Sequence, residues 1–225
     1  MKAKICGITN LDDALLAADA GAAFVGMVLA ASPRRAAPAV CEQIAARLPA
    51  AVQPVLVFRD APAEQIIALA GRMPRAAIQL HGAENAEFVA TLRAALGSVR
   101  VIKAVEIGED VALDEVCARM RELMQTGVTT FLLDSPKGAA GDPAAMDAIA
   151  RRLARPAGPP WFWRAGGLTP DSVEDVTAGL YSAVDVARGV EAEAGRKDAA
   201  KVRLFIERAA RLEGQQRPPD DGGNS

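Results

Sequence analysis

Cys6 and Asp134 are the two side chains whose positions in this 225-residue chain best suit acid/base chemistry. Lys2 to Cys6 alternates at strand period and Gly7 breaks the run, so Cys6 falls at the carboxyl end of a strand, with a helix starting directly after it. Lys4, two residues back, shares its side of that strand. A cation and a helix N-terminus both favour thiolate over thiol, which makes Cys6 a candidate reactive thiol; the alternative is a small buried hydrophobe. Asp134 closes the apolar run Phe131-Leu132-Leu133, where a carboxyl group either caps the next turn or does chemistry. Partial desolvation there would favour its protonated form and suit it to donate a proton.

Other polar groups fall at similar positions. His81, the only histidine, follows Gln79 at the end of a short apolar run and reads either as a ligand contact or as a hydrogen-bonded structural residue. Arg34, in Ser32-Pro33-Arg34-Arg35, could hold a carboxylate in two parallel hydrogen bonds, or the arginines could be a solvated loop pair. Gly166-Gly167 and Gly189, beside Arg188, suit close approach of a phosphate to bare backbone N–H groups, unless they merely end strands. Lys4 and Lys103 are both expected to face inward, where Asp185 could neutralise one of them as part of a structural ion network or of a site.

What must position these groups is a repeated unit of strand then helix. Strands are read at Lys2–Cys6, 23–30, 52–58, 76–80, 99–107, 129–134, 161–165 and 183–187, with amphipathic helical stretches between them and a last helix over 197–212. Thr9 and Asp12 have the spacing of a capping box, and Thr169-Pro170-Asp171 predicts another helix start. Eight such units, with no composition break, predict an α/β single-domain (β/α)8 barrel of parallel strands over residues 1–212. A doubly wound open sheet is the alternative, but no Gly-x-Gly-x-x-Gly turn follows any strand. In a barrel the sites lie at the carboxyl ends of the strands, where all the residues above converge, and the loops after strands seven and eight often hold phosphate. Residues 213–225, rich in Pro, Gly and polar groups, are expected to form a disordered tail.

The totals narrow the class. Apolar residues make up 51% and aromatics only 4%, so Ala, Val, Leu and Ile must fill the core. A net charge of −2 without a basic stripe predicts no nucleic-acid partner. Apolar runs are too short for a membrane span and no signal sequence is evident, so a cytoplasmic protein with no membrane partner is expected. Cys6, Cys41 and Cys117 are too scattered for a zinc site, which leaves free thiols and no metal.

Several segments together resemble the phosphoribosylanthranilate isomerase family. They are Lys4-Ile5-Cys6-Gly7-Ile8-Thr9, Ser32-Pro33-Arg34, Gln79-Leu80-His81-Gly82, Leu132-Leu133-Asp134-Ser135, Ala165-Gly166-Gly167-Leu168-Thr169-Pro170, and Val184-Asp185-Val186 through Gly189-Val190-Glu191 with Gly195 and Lys197-Asp198. The resemblance implies a cofactor-free Amadori rearrangement of tryptophan biosynthesis, acting on a small phosphorylated substrate. It further implies that Asp134 protonates the ribose ring oxygen and Cys6 removes the C2 proton. Arg34 would hold the anthranilate carboxylate, and Gly166, Gly167 and Gly189 the phosphate, with Arg188 adding charge. Gln79, His81 and Asp185 fall at substrate-contacting positions.

Three stretches depart from the family's usual pattern: Ser135-Pro136-Lys137-Gly138-Ala139-Ala140-Gly141-Asp142 after the acid, Ala187-Arg188 where two serines are usual, and Arg59-Asp60 together with Arg164. They motivate two alternatives, a diverged paralogue acting on another phosphorylated sugar or amine, and a barrel that binds a ligand without catalysis. Monomer and homodimer are equally compatible with the sequence.

Overall fold

The structure, a computed structural model, describes residues 1–136, 141–155 and 158–214. Eight strands pair in parallel in chain order: β1 (Lys2–Cys6), β2 (Phe24–Val28), β3 (Gln53–Phe58), β4 (Ala77–Leu80), β5 (Val101–Glu106), β6 (Thr130–Asp134), β7 (Trp161–Arg164) and β8 (Ala183–Val186). β8 then pairs with β1 and closes the ring, so the fold is the expected (β/α)8 barrel and not an open doubly wound sheet. Among the described residues seven α-helices surround it: α1 (Leu11–Asp19), α2 (Pro38–Arg47), α3 (Ala63–Arg72), α4 (Ala86–Leu96), α5 (Leu113–Gln125), α6 (Pro143–Leu153) and α7 (Ala199–Gly214). Among the described residues no helix is long and apolar enough to cross a membrane.

The period-two geometry of each strand sorts its side chains into two cores. Ile5, Val25, Leu56, Ile78, Phe131 and Val184 point outward and pack against the helices. Phe24, Val55, Ile102, Leu132 and Trp163 point inward and fill the barrel. Few as they are, aromatics close its amino-terminal end, where the Phe24 and Trp163 rings lie 4.4 Å apart. The same parity aims Lys4, Cys6, Gln79, Asp134 and Asp185 inward, since each stands two or four residues from a strand position in the inner core or beside one in the outer. Lys103 departs from expectation. Its neighbours Ile102 and Ala104 are the inward residues of β5, so Lys103 points outward and bonds the Gly82 carbonyl at 2.7 Å and Glu84 at 3.0 Å.

Local capping differs from the sequence reading in two places. The cap of α1 is Asn10, whose side chain accepts from the Asp13 N–H at 2.8 Å, whereas the Thr9 hydroxyl donates to the Gly195 carbonyl. After β7, Thr169 and Ser172 do cap one another, but only a short 3-10 turn, Val173–Asp175, follows. Val176, Thr177 and Gly179 are poor helix formers and leave too little length for a stable helix. Between β8 and α7 the chain forms a second 3-10 turn, Arg188–Val190, and a small antiparallel hairpin, β9 (Glu191–Glu193) with β10 (Arg196–Lys197). α7 extends two residues past the expected barrel end at 212; the remainder of the tail expected from 213 lies outside the described residues.

Candidate active site

A cavity of about 810 Å3 opens at the carboxyl ends of the strands, within the size range of small-ligand sites. Arg34, Asp134, Gly166, Gly167, Asp185 and Gly189 all line it, together with Arg188, which is largely exposed at its edge. These residues come from four separate βα loops, which is the convergence the barrel topology predicts. Gln79, His81 and Cys6 do not line it directly. Gln79 is fully buried and its amide nitrogen lies 2.9 Å from His81 Nδ1. His81 Nε2 in turn lies 3.3 Å from Asp134 Oδ2, so the pair reaches the cavity through Asp134. The other Asp134 oxygen accepts the Ser135 N–H at 2.7 Å, which fixes the carboxyl group at the end of β6.

Cys6 is 7% exposed and sits beside the Lys4 side chain over Gly26 of β2. Gly26 leaves the space they need, because a Cβ built there would stand 2.8 Å from Cys6 Sγ and 2.9 Å from Lys4 Nζ. Burial pushes the Cys6 thiol up; Lys4 pulls it down, Asp185 opposes Lys4, and the net direction is upward. Desolvation therefore outweighs the neighbouring cation, although Lys4 does pull toward the thiolate as expected. Burial also works against the Lys4 charge, but Asp185, 3.0 Å away, together with Cys6, holds its pKa above the ordinary lysine value. Asp185 is pushed up by burial and by the Asp134 carboxylate, and pulled down by Lys4 and His81. Electrostatically these side chains form one group around the barrel mouth.

Arg34 is held in place by a partner that the sequence did not suggest. Its Nε and Nη2 donate to the two carboxylate oxygens of Glu191 at 2.7 and 2.6 Å, and Lys197 also donates to Glu191, at 2.9 Å. Arg34 still lines the cavity, with Nη1 uncommitted among the described residues. Burial raises the Glu191 carboxyl, but Arg34 and Lys197 outweigh it and keep the group below the usual glutamate range.

After β7, Gly166 and Gly167 have φ of +88° and +69°, a region open to glycine. A Cβ on Gly189 would collide with the Leu168 carbonyl oxygen, so the β7 and β8 loops touch backbone to backbone. Arg59 pairs with Glu106 at 3.2 Å and Asp60 accepts the Ala83 N–H, both away from this cavity. Of the unusual stretch after Asp134, residues 137–140 lie outside the described residues.

A family model described as N-(5'-phosphoribosyl)anthranilate (PRA) isomerase matches residues 3–208. The N-(5'-phosphoribosyl)anthranilate isomerase of Geobacter metallireducens is 39% identical over 213 residues, covering 93% of this chain and 98% of its own. The crystal structure of phosphoribosyl anthranilate isomerase from Thermus thermophilus superposes with a TM-score of 0.79 at 34% identity, covering 95% of this chain and all of that one. A further phosphoribosyl anthranilate isomerase, solved with reduced 1-(o-carboxyphenylamino)-1-deoxyribulose 5-phosphate, is 32% identical with a TM-score of 0.78 over 93% of this chain and 98% of its own.

Proposed function

The chain belongs to the phosphoribosylanthranilate isomerase family, and from that premise we propose that Cys6 and Asp134 carry the two proton transfers of its reaction. That reaction is the isomerisation of N-(5'-phosphoribosyl)anthranilate to 1-(2-carboxyphenylamino)-1-deoxyribulose 5-phosphate in tryptophan biosynthesis. Opening the ribose ring breaks the C1–O bond as the amine nitrogen forms C=N, so the ring oxygen must gain a proton. Asp134 at the cavity wall supplies it, with Ser135 and His81 holding the carboxyl group and Gln79 behind His81. The resulting iminium draws electrons from C2, which must then lose its proton to a base. Cys6 is that base, and Lys4 stabilises the thiolate as it forms. The enolamine then ketonises, and no oxidant enters or leaves.

The remaining contacts follow from charge. Arg34 turns its free Nη1 edge to the anthranilate carboxylate, Asp185 faces the sugar hydroxyls, and Gly166, Gly167 and Gly189 offer N–H groups to the phosphate with Arg188 above them. Three unpaired buried cysteines support a cytoplasmic setting, in which the protein acts as a monomer or homodimer. The observation that carries this reading is the placement of Asp134 in the cavity wall with the Lys4–Cys6 pair beneath the same mouth. Loss of anthranilate ribotide fluorescence tests it. Cys6→Ala and Asp134→Asn should each lower kcat by roughly 100- to 10,000-fold, and wild-type kcat in both would refute the assignment.

A further inference from the structure

Four cationic side chains are buried among the described residues: Lys4, Lys103, Arg164 and Lys197. Three have a carboxylate within reach, at 3.0 Å for Lys4 and Lys103 and 2.9 Å for Lys197. Arg164, 7% exposed, has none within ion-pair distance among the described residues, and its one hydrogen bond there goes to the Ala165 carbonyl. The acid it feels on α6, Asp147, is occupied by the hydroxyls of Thr177 and Tyr181 and lies 3.6 Å from Arg151. Burial draws the Arg164 pKa below the ordinary arginine value, against the pull of Tyr181, Asp134 and Asp147. A guanidinium does not deprotonate in proteins, and a buried charge without a counter-ion is costly.

Its position indicates what the counter-ion is. Arg164 stands at an outward position of β7, one residue before the Ala165-Gly166-Gly167 turn, and lines two volumes at once. One is the 810 Å3 cavity of the active site, and the other a hollow of about 380 Å3 behind the glycine turn, between α6 and the Val173–Asp175 turn. The rear hollow sets Asp147 and Asp175 against Arg164 alone, whereas the active-site cavity sets Arg34, Arg164 and Arg188 against Asp134 and Asp185, so an anion is disfavoured behind the turn and favoured on the cavity side.

We propose that Arg164 is a phosphate-binding residue, whose guanidinium meets the substrate phosphate from beneath the Gly166-Gly167 turn and supplies charge that backbone N–H groups lack. The inference rests on reading that turn as the phosphate site. A planar guanidinium fork matches two phosphate oxygens, and a phosphate monoester is the chemical class it selects.

Inorganic phosphate is the probe, read as competitive inhibition and as a rise in Tm, on the full-length enzyme and on Arg164→Met and Arg164→Lys. The wild type should be inhibited and stabilised by phosphate. Arg164→Met should raise both KM and the phosphate Ki roughly 10- to 100-fold, leave kcat within about twofold and lose the Tm response; Arg164→Lys should recover part of the affinity. If wild type responds to phosphate and Arg164→Met responds equally, Arg164 is structural and the inference falls while the phosphate site stands. If wild type does not respond, both fall. Should Arg164→Met not fold, unchanged KM and Ki in Arg164→Lys would overturn the inference, because a point charge does not replace a fork.

Discussion

Lys4 and Asp185 are register partners on β1 and β8, and their charged groups meet 3.0 Å apart, both buried, at the seam where the last strand closes on the first. One-residue slippage of either strand would turn one partner outward, so the pair specifies the register of closure. The same ammonium lies beside the Cys6 sulfur. One lysine therefore bears both on barrel closure and on the ionisation of the thiol.

Lys4→Met should leave the Asp185 carboxyl buried without its partner. Breaking one half of a buried pair costs about 3 to 5 kcal/mol, which would appear as a lower urea midpoint. Lys4→Met combined with Asp185→Leu should regain much of that stability without regaining activity, because the forming thiolate has lost its cation. A midpoint equal to wild type in the single variant would show that the pair does not hold the seam.

With Cys6 as the base proposed above, its raised thiol pKa sets the expected pH dependence. A base must be ionised to act, and burial places ionisation above the ordinary thiol range. Alkylation of Cys6 by iodoacetamide should therefore accelerate with pH beyond that of a free thiol, with kcat/KM rising over the same interval. Cys41 and Cys117, fully buried, should react far more slowly. A plateau in alkylation rate already at neutral pH would mean a resting thiolate.

The strand count, the closed parallel barrel and the convergence of Asp134, Arg34 and the glycine turns could be read from periodicity, because period-two patterning fixes which rim a strand end reaches. Side-chain partners could not. Glu191 and Lys197 lie more than 150 positions from Arg34, and nothing in their local sequence marks them as its anchor. Lys103 faces outward because Ile102 and Ala104 take the inward positions of β5, a register that shows only in their packing. Thr9 lost the capping role to Asn10 because two residues able to cap stand side by side there. Gly26 did carry a signal, a lone glycine inside the apolar run AFVGMVLA, the usual mark of close approach across a strand.

Gly26→Ala is the sharpest test of that approach. Its Cβ would press within 3 Å of both Cys6 Sγ and Lys4 Nζ, so the thiol and ammonium must part. Because Gly26 does not line the cavity, the expected loss falls on kcat, by roughly tenfold or more, with KM little changed. Equal kcat would mean that the flexible lysine end moves aside without cost to the base.

Glu191 offers the corresponding test on the binding side. It clamps two sides of the Arg34 fork and shares Lys197, so its removal frees the guanidinium to turn away from the cavity. With Arg34 assigned to the substrate carboxylate, as proposed above, and not to the reacting carbons, Glu191→Gln should raise KM by roughly tenfold while kcat falls less. Arg34→Lys should raise KM at least as much, since an ammonium cannot form the paired bonds. The double variant should be no worse than Arg34→Lys alone, because Glu191 acts only through the arginine it positions. Additive losses in that double variant would instead mean that Glu191 meets the substrate itself or supports the β8 loop independently of Arg34.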